Sequence, residues 1–298
     1  MNNLLKTEEV GFVQSVKGRI VTIDGFPTIK VGELVVSDSA VAGQAKGYVA
    51  GLFPNKIEVY LLTDADVEPG QMFNKSGDFL GVKVEDSLLG KIINPLGESL
   101  DEESPYTPSA KAEKSILDQG AIGIFGRRYI QEQFETGITA IDSLAPLGKG
   151  QRELVIGESR SGKTSFLLDI IANQKNRGIV CVFAMIGKPL SEVRDVWAQI
   201  KEKGLLEHSI LVVSTSADTA PMIYLTPQSA FTIADFFRRK KKDVLVILDD
   251  MGVHARNYRE LSLVSGRPPG RESYPGDIFY QQARLLERAG CFNDLGGS

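Results

Sequence analysis

Gly157-Glu158-Ser159-Arg160-Ser161-Gly162-Lys163-Thr164 constrains this chain more than any other stretch, because it fits the pattern G-x-x-x-x-G-K-[ST]. A loop of this kind cradles phosphate where a strand ends and a helix begins. Its two glycines let the backbone wrap so that N–H groups point at a β-phosphate. Lys163 brings a fixed positive charge toward the β- and γ-phosphates, and the Thr164 hydroxyl is the expected Mg²⁺ ligand. The helix that follows presents its positive end to the same anion. The surrounding pattern agrees: Glu153-Leu154-Val155-Ile156 reads as a strand, and residues 163 to about 174 read as an apolar-periodic helix. The bland alternative is a Gly-rich turn that binds nothing, and the strand and helix on either side count against it.

The rest of the second half repeats strand and helix. Continuous apolar runs at 179–184, 210–213 and 244–248 alternate with helical patterns at 190–203 and about 222–239, which predicts a parallel sheet covered on both faces. The last run leads directly into Asp249-Asp250. Asp249 is the better candidate for holding Mg²⁺ through water at a strand end, and Asp250 is expected to cap or pair locally. The first 80 residues read differently. Short strands at 18–23, 33–36, 47–50 and 57–62, with a hairpin-type turn at Asp24-Gly25, predict a small barrel. Residues 95–119 carry three prolines and the acidic run Asp101-Glu102-Glu103, and read as a connecting loop region.

Composition excludes several classes. A chain of 298 residues that is 42% hydrophobic and 24% charged is globular, with room for two domains or one large one. The net charge of −4 does not advertise nucleic acid as a partner. No apolar run approaches the roughly 20 residues that span a bilayer, and the N-terminus reads as neither signal nor transit peptide. Cys181 and Cys291 stand far apart, which suggests neither a disulfide framework nor a zinc site. His208 and His254 have no carboxylate at ligand spacing, so solvated positions are the default. The run Arg238-Arg239-Lys240-Lys241-Lys242 suits the negative end of a helix dipole, with a nucleic-acid patch as the sharper alternative. Trp197 shares an apolar stripe with Val193 and Ile200 and reads as core. Arg271 is either paired with Glu272 or interfacial.

Longer motifs carry a resemblance. Thr136-Gly137-Ile138-Thr139-Ala140-Ile141-Asp142-Ser143-Leu144, then Gly148-Lys149-Gly150-Gln151-Arg152-Glu153-Leu154 and the phosphate loop, resemble the alpha subunits of rotary F-type ATP synthases. So do Leu89-Gly90-Lys91-Ile92-Ile93-Asn94-Pro95-Leu96-Gly97 and Arg267-Pro268-Pro269-Gly270-Arg271-Glu272-Ser273-Tyr274-Pro275-Gly276-Asp277. The resemblance implies an α/β RecA-like P-loop domain with a mostly parallel sheet over 81–298, preceded by a six-stranded β-barrel over 1–80. It implies ATP or ADP with Mg²⁺ bound at 157–164 without turnover, and no catalytic residue in this chain. It implies beta-type catalytic subunits and a central-stalk subunit as partners in an alternating hexamer. The complex would sit peripherally at the cytoplasmic face of the cell membrane, and the chain would meet the membrane only through it.

Departures from the family pattern are informative. The four variable loop positions, Glu158, Ser159, Arg160 and Ser161, differ from the usual Asp-Arg-Gln-Thr, so the side-chain contacts of that Arg and Gln do not transfer. Almost no chain precedes the barrel, and the chain stops at Gly296-Gly297-Ser298. The resemblance places the end of the sheet, the arginine-finger region and a helical bundle beyond that point. The chain is then expected to be a fragment, a truncated product or a paralogue, poorly competent to build a hexamer. Catalytic relatives carry Glu after the glycine corresponding to Gly187, alpha subunits carry Gln, and this chain carries Lys188. An ammonium does not accept a proton from water. Two readings of Lys188 stand: it strengthens phosphate binding, or it points to solvent beside Pro189. Two other functions compete, a self-sufficient RecA-type ATPase of an export motor and a nucleic-acid translocase resembling the Rho factor. Residues 10–80 have few arginines and scattered aromatics, which weakens the second.

Overall fold

The computed structural model describes residues 9–38, 44–54, 56–158, 161–293 and 296–298. By compactness the chain divides into one unit of residues 1–80, 218–224 and 255–276 and another of 81–217, 225–254 and 277–298.

The first unit is built on a closed antiparallel barrel. Its strands are β1 Val10–Lys17, β2 Ile20–Gly25, β3 Glu33–Ser37, β4 Lys46–Phe53, β5 Lys56–Leu61 and β6 Met72–Phe79, in the order β1-β2-β5-β4-β3-β6 with β6 returning to β1. Inward-facing Val21, Ile23, Val35, Val49, Val59 and Phe73 fill it, all fully or almost fully buried. Closure removes the sheet edges that would otherwise recruit another strand. The six-stranded barrel implied by the resemblance is therefore present. The turn expected at Asp24-Gly25 is not. Those residues lie inside β2 opposite Phe12 and Gly11, and the hairpin turns instead at Gly18-Arg19. Gly18 takes φ +56°, which a tight hairpin turn demands. Gly25 also takes a positive φ, +119°, and a Cβ there would in addition lie 2.6 Å from the Val10 carbonyl oxygen.

The second unit carries a four-stranded sheet in the order β14-β12-β13-β8, every pairing parallel. Its strands are β8 Ile92–Ile93, β12 Val180–Lys188, β13 Ser209–Thr215 and β14 Val244–Asp249. The expected apolar runs all fall within it or at its margins. β12 lies between β13 and β14, with Phe183 level with Leu211 and Ile247. The helices α2 Lys163–Asn173 and α3 Leu190–Glu202 bring Leu168, Ile171, Val193, Val196 and Ile200 into the same core. Trp197 packs half-buried against that core, as its stripe suggested.

Smaller elements complete the chain. β7 Gly81–Val84 pairs antiparallel with β9 Glu113–Ile116, so the stretch 95–119 contains a strand as well as loop. β10 Gln133–Phe134 and β11 Leu147–Gly148 form a short hairpin around α1 Thr139–Leu144. Three further helices, α4 Ala220–Arg239, α5 Met251–Val264 and α6 Ile278–Leu286, follow in order.

One expected strand is missing. Residues 153–156 adopt no regular structure and are exposed, Leu154 to 77% and Ile156 to 81%. An apolar, β-branched run becomes a strand only when a neighbour shares its hydrogen-bond ladder, and among the described residues none pairs with this one.

Candidate functional site

Gly162 is the N-cap of α2 and takes φ +90°, ψ 10°, left-handed geometry that a side chain would strain. At Gly157 a Cβ would come within 2.8 Å of the Ser161 hydroxyl oxygen, a contact that rotation of the exposed Ser161 side chain relieves. The Ser161 N–H donates to the Glu158 carbonyl at 3.3 Å, and the Phe166 N–H to the Gly162 carbonyl at 3.0 Å, which starts the helix. Lys163 folds back over the loop, its Nζ donating to the carbonyls of Gly157 at 2.8 Å and Glu158 at 2.6 Å. Ser159 and Arg160 lie outside the described residues.

The loop meets the end of β14. Asp249 closes that strand with only 6% of its surface exposed, and the Thr164 Oγ1 lies 3.5 Å from its Oδ2. A hydroxyl oxygen and a carboxylate oxygen converging next to a phosphate-binding loop are the donor set that Mg²⁺ prefers when nucleotide oxygens and water complete its shell. The residues present fit the metal. Asp250 takes a local role: its Oδ1 accepts the Val253 N–H at 2.6 Å and so caps α5.

A third group joins them that the pattern of the loop did not point to. β12 ends at Gly187-Lys188, with the Gly187 N–H donating to the Ser214 hydroxyl at 3.0 Å. From there Lys188 places its Nζ 2.8 Å from Asp249 Oδ1, 3.3 Å from Glu192 Oε1 and 3.9 Å from Asp250 Oδ2. Its side chain is only 13% exposed. The reading in which Lys188 points to solvent beside Pro189 is thereby overturned, since Asp249 and Glu192 enclose its ammonium. Burial alone would lower the Lys188 pKa, but the Asp249 hydrogen bond and the charges of Asp249 and Glu192 outweigh it and hold the ammonium above the usual lysine value. The sequence carried no signal for the pairing with Glu192, because Lys188 ends β12 and Glu192 lies in the first turn of α3. The approach to Asp249 depends on β12 and β14 being neighbours.

Upstream of the loop, Asp142 organises the Thr136–Gly137 turn. Its Oδ1 accepts from the Thr136 N–H and hydroxyl, both at 2.8 Å, and its Oδ2 accepts the Gly137 N–H at 2.8 Å. Asn173 and Gln174, at the far end of α2, donate to the Thr136 and Glu135 carbonyls at 3.0 Å each. Desolvation pushes the Asp142 pKa up, yet the Thr136 and Gly137 hydrogen bonds and the Arg177 charge bring it below the ordinary carboxylate value.

Other singled-out residues resolve plainly. Arg238 is buried against Asp235 at 3.1 Å, Arg239 pairs with Glu113, and Lys240 pairs with Asp86 at 2.8 Å, so much of the basic run is held by carboxylates of this chain. The expected solvated surface or loop position fails for His254. His254 is buried, because it recurs with Tyr258, Leu261 and Ser262 on the inward stripe of α5, and His208 is half-buried with its Nε2 3.1 Å from the Ile171 carbonyl oxygen. Arg271 is exposed, and among the described residues no ion pair joins it to Glu272. Both cysteines are free and buried, and burial pushes the Cys181 thiol up to about 12. No helix among the described residues is long and apolar enough to cross a membrane.

Comparison with known proteins shows the family of the chain. Residues 137–298, just over half the chain, match the model of the ATP synthase alpha/beta family, nucleotide-binding domain. The chain is also 38% identical over 287 residues to a protein from Sulfurovum sp. (strain NBC37-1) described as ATP synthase subunit alpha, a match covering 96% of this chain and 56% of that protein. The chain thus spans just over half the length of that relative.

Proposed function

The chain belongs to the ATP synthase alpha/beta family, and from that premise we propose that it is a regulatory, non-catalytic alpha-type subunit of a proton-translocating ATP synthase. The observation that carries this reading is the Lys188–Asp249 pair at 2.8 Å beside the phosphate loop. The loop can bind nucleotide, but the position that would carry a water-activating carboxylate holds an ammonium without basic character.

On this reading ATP or ADP binds at residues 157–164. The loop's backbone N–H groups would cradle its phosphates, and Lys163 would supply the largest charge contact. Thr164 would hold Mg²⁺ directly, and Asp249 would hold it through water. The ion when bound neutralises phosphate charge and fixes the geometry of the phosphate tail. Residues 1–80 act as the barrel domain and 81–298 as the nucleotide domain. Beta-type catalytic subunits and a central-stalk subunit are the partners, nucleic acid is not, and the complex is peripheral to the cytoplasmic face of the cell membrane.

Nucleotide protection against thermal unfolding tests the site. At about 100-fold excess over Kd, Mg-ADP should stabilise the chain by about 3 kcal/mol, and Lys163→Ala should abolish that protection. Steady-state phosphate release with Mg-ATP should not exceed the Lys163→Ala background. Unchanged protection in the variant refutes the binding site; turnover well above background refutes the non-catalytic role. Native mass spectrometry with a cognate beta subunit tests the partnership.

A further inference from the structure

The metal-side carboxylate already has a cation. Asp249 offers two oxygens, and they are divided: Oδ1 lies 2.8 Å from the Lys188 ammonium, while Oδ2 faces the Thr164 hydroxyl at 3.5 Å. The Lys188 stem is enclosed at the end of β12, and Glu192 holds the ammonium from the other side at 3.3 Å. Two consequences follow from elementary electrostatics. A divalent cation approaching Oδ2 meets a like charge a few ångströms away and finds the carboxylate partly neutralised, so the bare site attracts metal weakly. A nucleotide, by contrast, meets Lys163 on the loop, with a second ammonium, Lys188, held in reserve at the strand end by Asp249, Glu192 and Asp250 at 2.8, 3.3 and 3.9 Å. Lysine is a compact charge on a four-carbon stem and reorients readily from carboxylate to phosphate.

We infer that Lys188 is a built-in counterion that takes over part of the metal's task, so that this loop binds ATP or ADP with only weak dependence on Mg²⁺. The inference rests on the reading of 157–164 as a nucleotide site and adds to it the ligand form preferred there. It also assigns Lys188 a positioning role toward Asp249 and the phosphates. No proton is moved and no bond is made or broken.

A fluorescent ADP analogue, titrated with Mg²⁺ and with EDTA, measures the ratio of the two dissociation constants. For the wild-type chain, removal of Mg²⁺ should weaken binding by less than about tenfold; in Lys188→Gln that ratio should rise by about tenfold or more, and Lys188→Arg should restore the wild-type ratio. Mn²⁺ titration of the nucleotide-free protein, followed by electron paramagnetic resonance, gives a readout without nucleotide. Lys188→Gln should bind Mn²⁺ at least about tenfold more tightly than wild type, because the competing charge is gone. A wild-type ratio above about tenfold overturns the inference, and so does a ratio or a Mn²⁺ affinity unchanged in Lys188→Gln. The wild-type ratio decides by itself should Lys188→Gln fail to fold. Absence of nucleotide binding in both conditions overturns the inference together with the nucleotide site, whereas binding with an unchanged ratio overturns the counterion role alone.

Discussion

Residues 153–156 and the strand β12 are both short apolar runs rich in Val and Ile that lead into a glycine, and they end in opposite environments. Val180–Lys188 has β13 on one side and β14 on the other, and its residues from Val180 to Ile186 are buried. Leu154, Val155 and Ile156 are exposed and share no ladder with any described strand. The flanks do not explain the difference, because both are held. On one side the β10–β11 hairpin is fixed, with the Lys149 N–H on the Glu132 carbonyl at 2.9 Å and Arg152 on Glu287 at 2.6 Å. On the other side α2 begins immediately after the loop. What separates the two runs is a partner. Hydrophobicity makes burial favourable, but a strand also has to pair its N–H and C=O groups, and that requirement is met by another segment or not at all.

Substitutions along the two runs measure that contrast. The largest effect is expected in β12: Phe183→Ala deletes a fully buried ring from the sheet core and should cost about 3–5 kcal/mol in urea unfolding. A cost below about 1 kcal/mol would mean the sheet core is loose and the contrast is overdrawn. The Asp142 turn, which anchors the chain ahead of the exposed run, should contribute an intermediate, pH-dependent part. Its pKa is depressed in the folded chain, so the stabilisation is complete above the unfolded value of about 4 and is lost as pH falls through the lower folded value. Between about pH 5 and pH 2 the melting temperature of Asp142→Asn should fall less steeply than that of wild type; parallel curves would remove the turn from the account. The smallest effect belongs to the exposed run. Ile156→Ser should change stability by no more than about 0.5 kcal/mol in this chain. A cost of about 2 kcal/mol or more would place Ile156 in a core and erase the comparison.

The barrel makes the same point from the other direction. β1 and β6 escaped sequence reading: Val10–Lys17 mixes glycine, glutamine and serine with its valines, and Met72–Phe79 is largely polar, with Gly77 at φ +76°. Yet both are strands, because closing a sheet on itself hands each of them two neighbours. A weak local pattern with partners became a strand, and a stronger one without partners did not. The histidines follow suit, since burial of His254 was set by which face of α5 turned inward.

For the candidate site the division runs between contiguous and distant residues. The phosphate loop, its glycines, Lys163 and Thr164 were legible because they are neighbours in the chain and their chemistry depends on spacing that covalent geometry enforces. Asp249 was legible as the end of an apolar run. The pairing of Lys188 with Asp249, 61 residues apart in the sequence, was not legible, and neither was the exposure of 153–156. Both depend on which strands lie side by side. Local pattern sets what each segment is able to form, through periodicity and backbone preference acting over a few residues. Strand order and register decide which of those possibilities are realised, because a hydrogen-bond ladder and a buried ion pair each need a second segment whose place only the folded chain determines.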